Sequence, residues 1–204
     1  MNKNKKMKGF SAIIAVIAIA VILLIAIVPT YNNLATSREN VNQAYAQVQN
    51  VVQRRADLIP NLVNTVKGYT NHEEDTLTKV TNARAGVQNA NSPEELAEAN
   101  EELTRAVGDI NVVVESYPEL KADTQFVALM DELAGSENRI SVERKNYNEA
   151  CQEFNTKLVR FPTNIIGKIT GFKQAEYFQA SESAQEAPTV DFNKLEILWK
   201  RLKE

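Results

Sequence analysis

"QRRADLIPNLVNTVKGYTNHE" occupies residues 53–73 and holds two arginines, an aspartate, a proline and the single histidine of the chain. Such a stretch could be a reaction centre or the middle of a helix. The apolar residues decide for the helix. Ile59, Leu62, Val66 and Tyr69 recur at steps of three and four. The same period runs back through Val52, Val48, Tyr45 and Val41, and on through Leu77, Val80 and Val87. Side chains at that spacing share one helix face. Arg55 stands at the vacant step between Val52 and Ile59, so it is expected to point inward with the apolar residues.

Pro60 then sets the expected topology. A proline inside a helix removes one backbone hydrogen bond and crowds the preceding turn, and the residue before it resists helical angles. An unbroken helix from Tyr31 to Asn89 would be about 90 Å long, against about 35 Å for the next one. A break at Pro60 gives helices that pack more evenly and is preferred here; a kinked continuous helix is the alternative. Downstream, "NANSPEEL" stops and restarts the chain. Ser92 suits an N-cap, Pro93 the first helical position, and Glu94 and Glu95 the positive helix end. Leu96, Ala99, Leu103, Ala106, Ile110, Val113 and Tyr117 mark the following helix, which "SYPEL" ends at Pro118. Phe126, Leu129, Leu133, Ile140, Tyr147, Cys151, Phe154 and Leu158 mark the last long one. A short helix is expected from Pro162 to Ile169. No stretch alternates with period two for long enough to be a strand.

Ahead of this body, "GFSAIIAVIAIAVILLIAIV" runs from Gly9 to Val28 with no charge. Twenty helical residues span about 30 Å, the thickness of a bilayer's hydrocarbon core, and a helix satisfies its own backbone polar groups there. The run is longer than a signal peptide's apolar region and leads into "IVPTY", a poor cleavage site, so an uncleaved anchor is expected. Lys3, Lys5, Lys6 and Lys8 precede it and only Arg38 follows closely. That bias puts the N-terminus in the cytoplasm and the body outside. The expected fold is all-α: an N-terminal transmembrane helix followed by an antiparallel bundle of three to four long helices. The expected divisions are a basic tail (1–8), the anchor (9–28), the bundle (31–172), a flexible polar linker (173–190) and an amphipathic C-terminal helix (191–204). In that last segment Leu195, Leu198, Trp199 and Leu202 share a face.

Composition excludes much chemistry. One Cys and one His cannot supply a zinc site of about three or four Cys, His or carboxylate ligands. His72 lacks the second histidine of an H-E-x-x-H motif, since position 76 is Thr. Without the four leading lysines, 19 basic residues face 26 acidic ones, a net of −7. No basic block is present, so nucleic acid is not an expected partner. No cofactor, metal site or catalytic residue is expected. The residues singled out are Arg54, Arg55, Asp57, Glu137 and Arg144. Arg54 and Asp57 can pair at i,i+3 on the surface. A buried Arg55 needs a carboxylate, and Glu137, with Glu143 and Arg144 near the stripe of the last helix, could complete a polar layer between helices. Cys151 reads as a small buried apolar residue. Asn32, Asn148 and Asn155 each follow an aromatic residue, a pairing suited to tying helices together by side-chain hydrogen bonds.

Five stretches carry a resemblance: "YNNLATSRENVNQAYAQV", "QRRADLIPNLVNTVKGYTNHEEDTL", "ESYPELKADTQF", "ENRISVERKNYNEACQEFN" and "FPTNIIG" with "YFQA". In that order they resemble the LemA family of bacterial membrane proteins, over about Tyr31 to Phe192. Ala35 and Cys151 depart from the family pattern by apolar exchanges, and the tail after Phe192 is outside it. The resemblance implies an anchored helical bundle and no particular activity. By analogy with a member that takes part in forming magnetosome membranes, it implies a role in envelope assembly. The expected function is therefore a docking or scaffold module at the cell membrane, not an enzyme. Its partners would be the lipid bilayer, membrane or envelope proteins, and possibly other copies of itself. An envelope sensor with a small-ligand site between helices, near Arg54 to Asp57, is the alternative.

Overall fold

The computed structural model describes residues 3–70 and 73–179, except for the side chains of residues 3–12, 15, 19, 22 and 23. Every regular element among them is a helix: α1 (Lys3–Lys67), α2 (Glu74–Asn89), α3 (Pro93–Val114), α4 (Pro118–Lys121), α5 (Thr124–Val159) and α6 (Thr163–Thr170). The C-terminal half of α1 packs with α2, α3 and α5 as the bundle. Leu34, Val48, Val52, Ile59, Leu62, Leu103, Ile110, Ile140 and Phe154 form its most deeply buried layer. α5 runs antiparallel to α1. As the α1 numbers rise through Ser37, Tyr45 and Arg55, their partners on α5 fall through Lys157, Tyr147 and Glu137.

The break expected at Pro60 does not occur. α1 continues through Pro29 and Pro60 for 65 residues, about 100 Å at the helical rise. The reason is visible one turn back. Pro60 has no N–H for the carbonyl of Ala56, its i−4 partner. Arg84 on α2 supplies the missing donor, its Nε lying 3.0 Å from the Ala56 oxygen. Pro60 itself is exposed, while Ala56, Ile59, Leu62 and Val63 around it are buried. The chain turns instead at Gly68. There the N–H groups of Gly68, Tyr69 and Thr70 return to the carbonyls of Asn64, Thr65 and Val66. Acidic Glu74 and Asp75 then begin α2, where the helix dipole favours them. Neither sequence alternative placed the turn there. α1 is longer than the kinked alternative requires at its start and shorter at its end.

The restart at Ser92 follows capping chemistry. Ser92 Oγ accepts from the Glu95 N–H at 3.1 Å, and Glu95 reaches back to the Asn91 N–H at 2.7 Å. Asp123 caps α5, accepting from the Phe126 N–H at 2.8 Å and from the Tyr69 hydroxyl at 2.8 Å. The Phe126 N–H, with the Tyr69 hydroxyl second, holds the Asp123 carboxyl below its ordinary range. α6 closes against the end of the bundle that adjoins the N-terminal part of α1. Gly167 permits this approach, because a Cβ there would run into the Leu158 side chain. Gly171 ends α6 with φ 79°, a left-handed angle that favours glycine.

Two expectations about the chain ends change. Residues 173–179, expected to start a flexible linker, lie along α1 and α5 with Ala175 and Phe178 buried. Phe178 sits 5.0 Å from the Tyr147 ring and 6.3 Å from that of Tyr45. Taken over the described residues, no helix is long and apolar enough to cross a membrane. The span expected from Gly9 to Val28 has the side chains of 9–12, 15, 19, 22 and 23 outside that description. The rest of the expected linker, the C-terminal segment 191–204 and His72 also lie outside the described residues.

Candidate functional site

Two polar constellations are built into the bundle. The first centres on Arg55, whose residue is 3% exposed. Its Nη1 lies 2.9 Å from Asn100 Oδ1, 2.8 Å from Thr104 Oγ1 and 2.6 Å from Glu137 Oε2. Thr104 can accept from Arg55 because its own proton goes to the Asn100 carbonyl at 2.9 Å. One guanidinium on α1 thus joins α3 and α5. Burial lowers the Arg55 pKa and the Glu137 carboxylate opposes that shift, but an arginine stays charged throughout. Glu137 is 39% exposed on its side chain, so water screens part of the ion pair. Arg55 Nε finds no partner among the described residues.

Of the residues grouped in advance, only Arg55 and Glu137 meet there. Arg54 is exposed and pairs with Glu132 at 3.1 Å, not with Asp57. Asp57 is exposed and accepts from Gln53 at 2.7 Å. Arg54 lies on the side of α1 that faces α5, where Glu132 meets it. Arg144 belongs to the second constellation, and Glu143 accepts from Asn146. Sequence reasoning did not find Asn100 and Thr104. The signal existed: Asn100 follows Ala99 within the apolar stripe of α3, four residues ahead of Thr104. Close polar contacts surround the Arg55 guanidinium, in the region where a small-ligand site was the alternative expectation. Open grooves lie elsewhere, one of about 360 Å³ at the α1–α2 hinge beside Val63, Lys67 and Leu77. A second, of about 550 Å³, lies between α2 and α3 beside Lys79, Glu102 and Arg105.

The second constellation is a ladder on α5 that holds residues 175–179 as an extended strap. Asn155 donates to the Ala175 carbonyl at 2.9 Å and accepts from the Ala175 N–H at 2.7 Å. Asn148 does the same with Phe178, at 3.0 and 2.9 Å. Between them the Tyr147 hydroxyl and the Cys151 thiol both donate to the Glu176 carbonyl, at 2.8 and 3.4 Å. Arg144 donates to the Gln179 carbonyl at 2.9 Å and stacks over the Phe178 ring. Asn148 and Asn155 are seven residues apart, as are Arg144 and Cys151, so each pair returns to the same helix face after two turns. These asparagines satisfy the backbone of the strap rather than joining helices, and Asn32 is exposed. Burial pushes the Tyr147 hydroxyl well up, with Cys151 adding to it. Burial also raises the Cys151 thiol, against smaller opposing effects of Tyr147 and Arg38. A protonated, fully buried thiol is a poor nucleophile.

Among the described residues no three His, Cys, Asp or Glu side chains gather closely enough to hold a metal ion. The Arg55 contacts link α1, α3 and α5, and the asparagine ladder ties the strap to α5.

The family model described as "LemA family" matches residues 44–192. The magnetosome protein MamQ 2 of Paramagnetospirillum magneticum is 26% identical, over 89% of this chain and 78% of its own length. The protein LemA of Metamycoplasma hominis is 29% identical, over 74% of this chain and 69% of its own. The magnetosome protein MamQ of Magnetospirillum gryphiswaldense is 22% identical, over 93% and 80%.

Proposed function

Given that the chain belongs to the LemA family, we propose that it is a single-pass membrane protein whose bundle is a docking module in the cell envelope. The observation that carries this reading is the unbroken course of α1, from the apolar run into the core of the bundle. Along that run Ile13, Ile14, Val16, Ile17, Val21, Leu24, Ile25, Ile27 and Val28 are each 42–69% exposed. Large aliphatic side chains exposed in succession around a helix are costly in water, at about 25 cal/mol per Å². In lipid that cost vanishes, and about 20 such residues match the hydrocarbon thickness. The lysines before the run favour a cytoplasmic N-terminus, with the bundle on the other side.

A bundle continuous with its anchor is held at a fixed height above the bilayer. Partners confined to the same membrane then meet it at high effective concentration, so weak contacts suffice. Relatives named as magnetosome proteins support the membrane-associated part of this reading. Crosslinking of the full chain in its native membrane, read by mass spectrometry, tests the docking role. Defined neighbours recovered across conditions support it, and a monomer with no recurrent neighbour overturns it. Protease added to intact spheroplasts tests the orientation: digestion of the bundle is expected, and full protection would reverse it.

A further inference from the structure

α6 sits at the end of the bundle nearest the apolar run. Gly167 and Ile166 turn inward, with Gly167 against Leu158 and Leu34, and Phe172 packs 5.9 Å from the Tyr31 ring. Leu34 lies only six residues beyond Val28, about 9 Å along α1. The outer side of this element is apolar. Phe161 is 80% exposed, Ile165 50% and Ile169 80%. Ile165 and Ile169 are four residues apart and share one face of α6, and Phe161 stands in the turn that leads into it. No acidic residue occurs between Glu153 and Glu176, whereas Lys157, Arg160, Lys168 and Lys173 all fall in that interval. Arg160, Lys168 and Lys173 are exposed. On a body with a net of −7 this is a local reversal of charge.

We infer that α6 and the preceding turn form a second membrane contact, in which Phe161, Ile165 and Ile169 enter the surface of an anionic phospholipid bilayer. Arg160, Lys168 and Lys173 would then meet its headgroups. The combination of an apolar stripe with flanking basic residues is that of an interfacial helix. Tyr31, 43% exposed beside it, has the ring-and-hydroxyl character that suits the headgroup level. A lone helix of eight residues would bind a bilayer weakly. Here α1 already delivers it to the surface, so docking is intramolecular. The contact would stop the bundle from swivelling about its anchor and would set which of its faces is offered to partners. This inference rests on the proposed anchoring of α1.

The test uses the full chain with Cys151→Ala, reconstituted into vesicles of phosphatidylcholine with or without phosphatidylglycerol. A polarity-sensitive fluorophore is attached through Ile17→Cys, Ile169→Cys or Val112→Cys in separate samples. Val112 is 73% exposed near the C-terminal end of α3 and serves as the bundle control. Expected are a strongly blue-shifted probe at Ile17, an intermediate shift at Ile169 with phosphatidylglycerol present, and a water-like probe at Val112. Each neutralisation among Arg160→Gln, Lys168→Gln and Lys173→Gln should lower the docked-to-free ratio at Ile169 about fivefold in the anionic vesicles. A lipid-like probe at Ile17 with a water-like one at Ile169 would overturn the second contact and leave the anchor standing. A water-like probe at Ile17 would overturn both. A shift at Ile169 that appears only as the protein-to-lipid ratio is raised would assign the stripe to a second copy, and would overturn the lipid contact.

Discussion

Replacing Arg84 with Met should leave the Ala56 carbonyl without a donor. Pro60 cannot supply one, and Ala56 is fully buried. Arg84 Nε is the group that fills the gap, at 3.0 Å. A buried acceptor stripped of its partner costs about 1–3 kcal/mol. Methionine keeps much of the arginine stem's apolar contact, so the loss of the hydrogen bond dominates. Pro60→Ala restores a backbone N–H at position 60 that can satisfy the same carbonyl. In that background Arg84→Met should therefore cost about 1–2 kcal/mol less than in the parent, and the double-mutant cycle isolates this coupling. Pro60→Ala alone should stabilise, since an interior proline is about 3 kcal/mol less favourable than alanine. The assay is thermal unfolding of the detergent-solubilised full chain, followed by far-ultraviolet circular dichroism. For a chain of this size each kcal/mol moves the midpoint by roughly 2–4 °C. Equal losses from Arg84→Met in both backgrounds would refute the argument that Arg84 is what carries α1 through Pro60.

Arg55→Ala should destabilise more than Arg55→Met, by about 1–3 kcal/mol in denaturant midpoints, because alanine adds a cavity to the lost bonds among Asn100, Thr104 and Glu137. Equal and negligible losses would place Arg55 in solvent. Asn148→Leu with Asn155→Leu should release the strap, so that a water-soluble maleimide modifies Cys151 at least about tenfold faster than in the parent. In the parent, the buried and raised thiol should react slowly, and no acceleration in the variant would show that the ladder does not hold residues 175–179. The Asp123 pKa is lowered in the folded chain, so its stabilising effect is present above the ordinary aspartate value of about 3.9 and fades as pH falls through the folded value. Asp123→Asn should therefore flatten the acid limb of the stability curve below about pH 4, and parallel acid limbs for the two chains would contradict the capping role.

The periodic residues made the helices legible, and Arg55 was legible as an inward polar residue because it interrupts a stripe. What the sequence hid were interactions whose two halves lie far apart along the chain. Pro60 reads as a breaker until Arg84, 24 positions later, is seen to complete the backbone of α1. The real turn was carried by Gly68 followed by Glu74 and Asp75, a helix stop and start weaker in appearance than proline. Arg54 had a carboxylate at i+3, but packing offered Glu132 instead. Residues 173–179 are polar enough to read as linker, and nothing local reveals that Asn148 and Asn155 hold their backbone. The aromatic-asparagine pairs were visible; the strap they bind was not.

The central claim is that one rigid helix carries the apolar run into the bundle. Spin labels placed through Ile25→Cys and Gln47→Cys, with Cys151→Ala and the chain in lipid nanodiscs, test it by pulsed electron paramagnetic resonance. Both positions are exposed, and they fall on nearly the same face of α1 on either side of Pro29. A single narrow distribution near about 33 Å is expected from the helical rise, and a broad or markedly shorter one would contradict the claim.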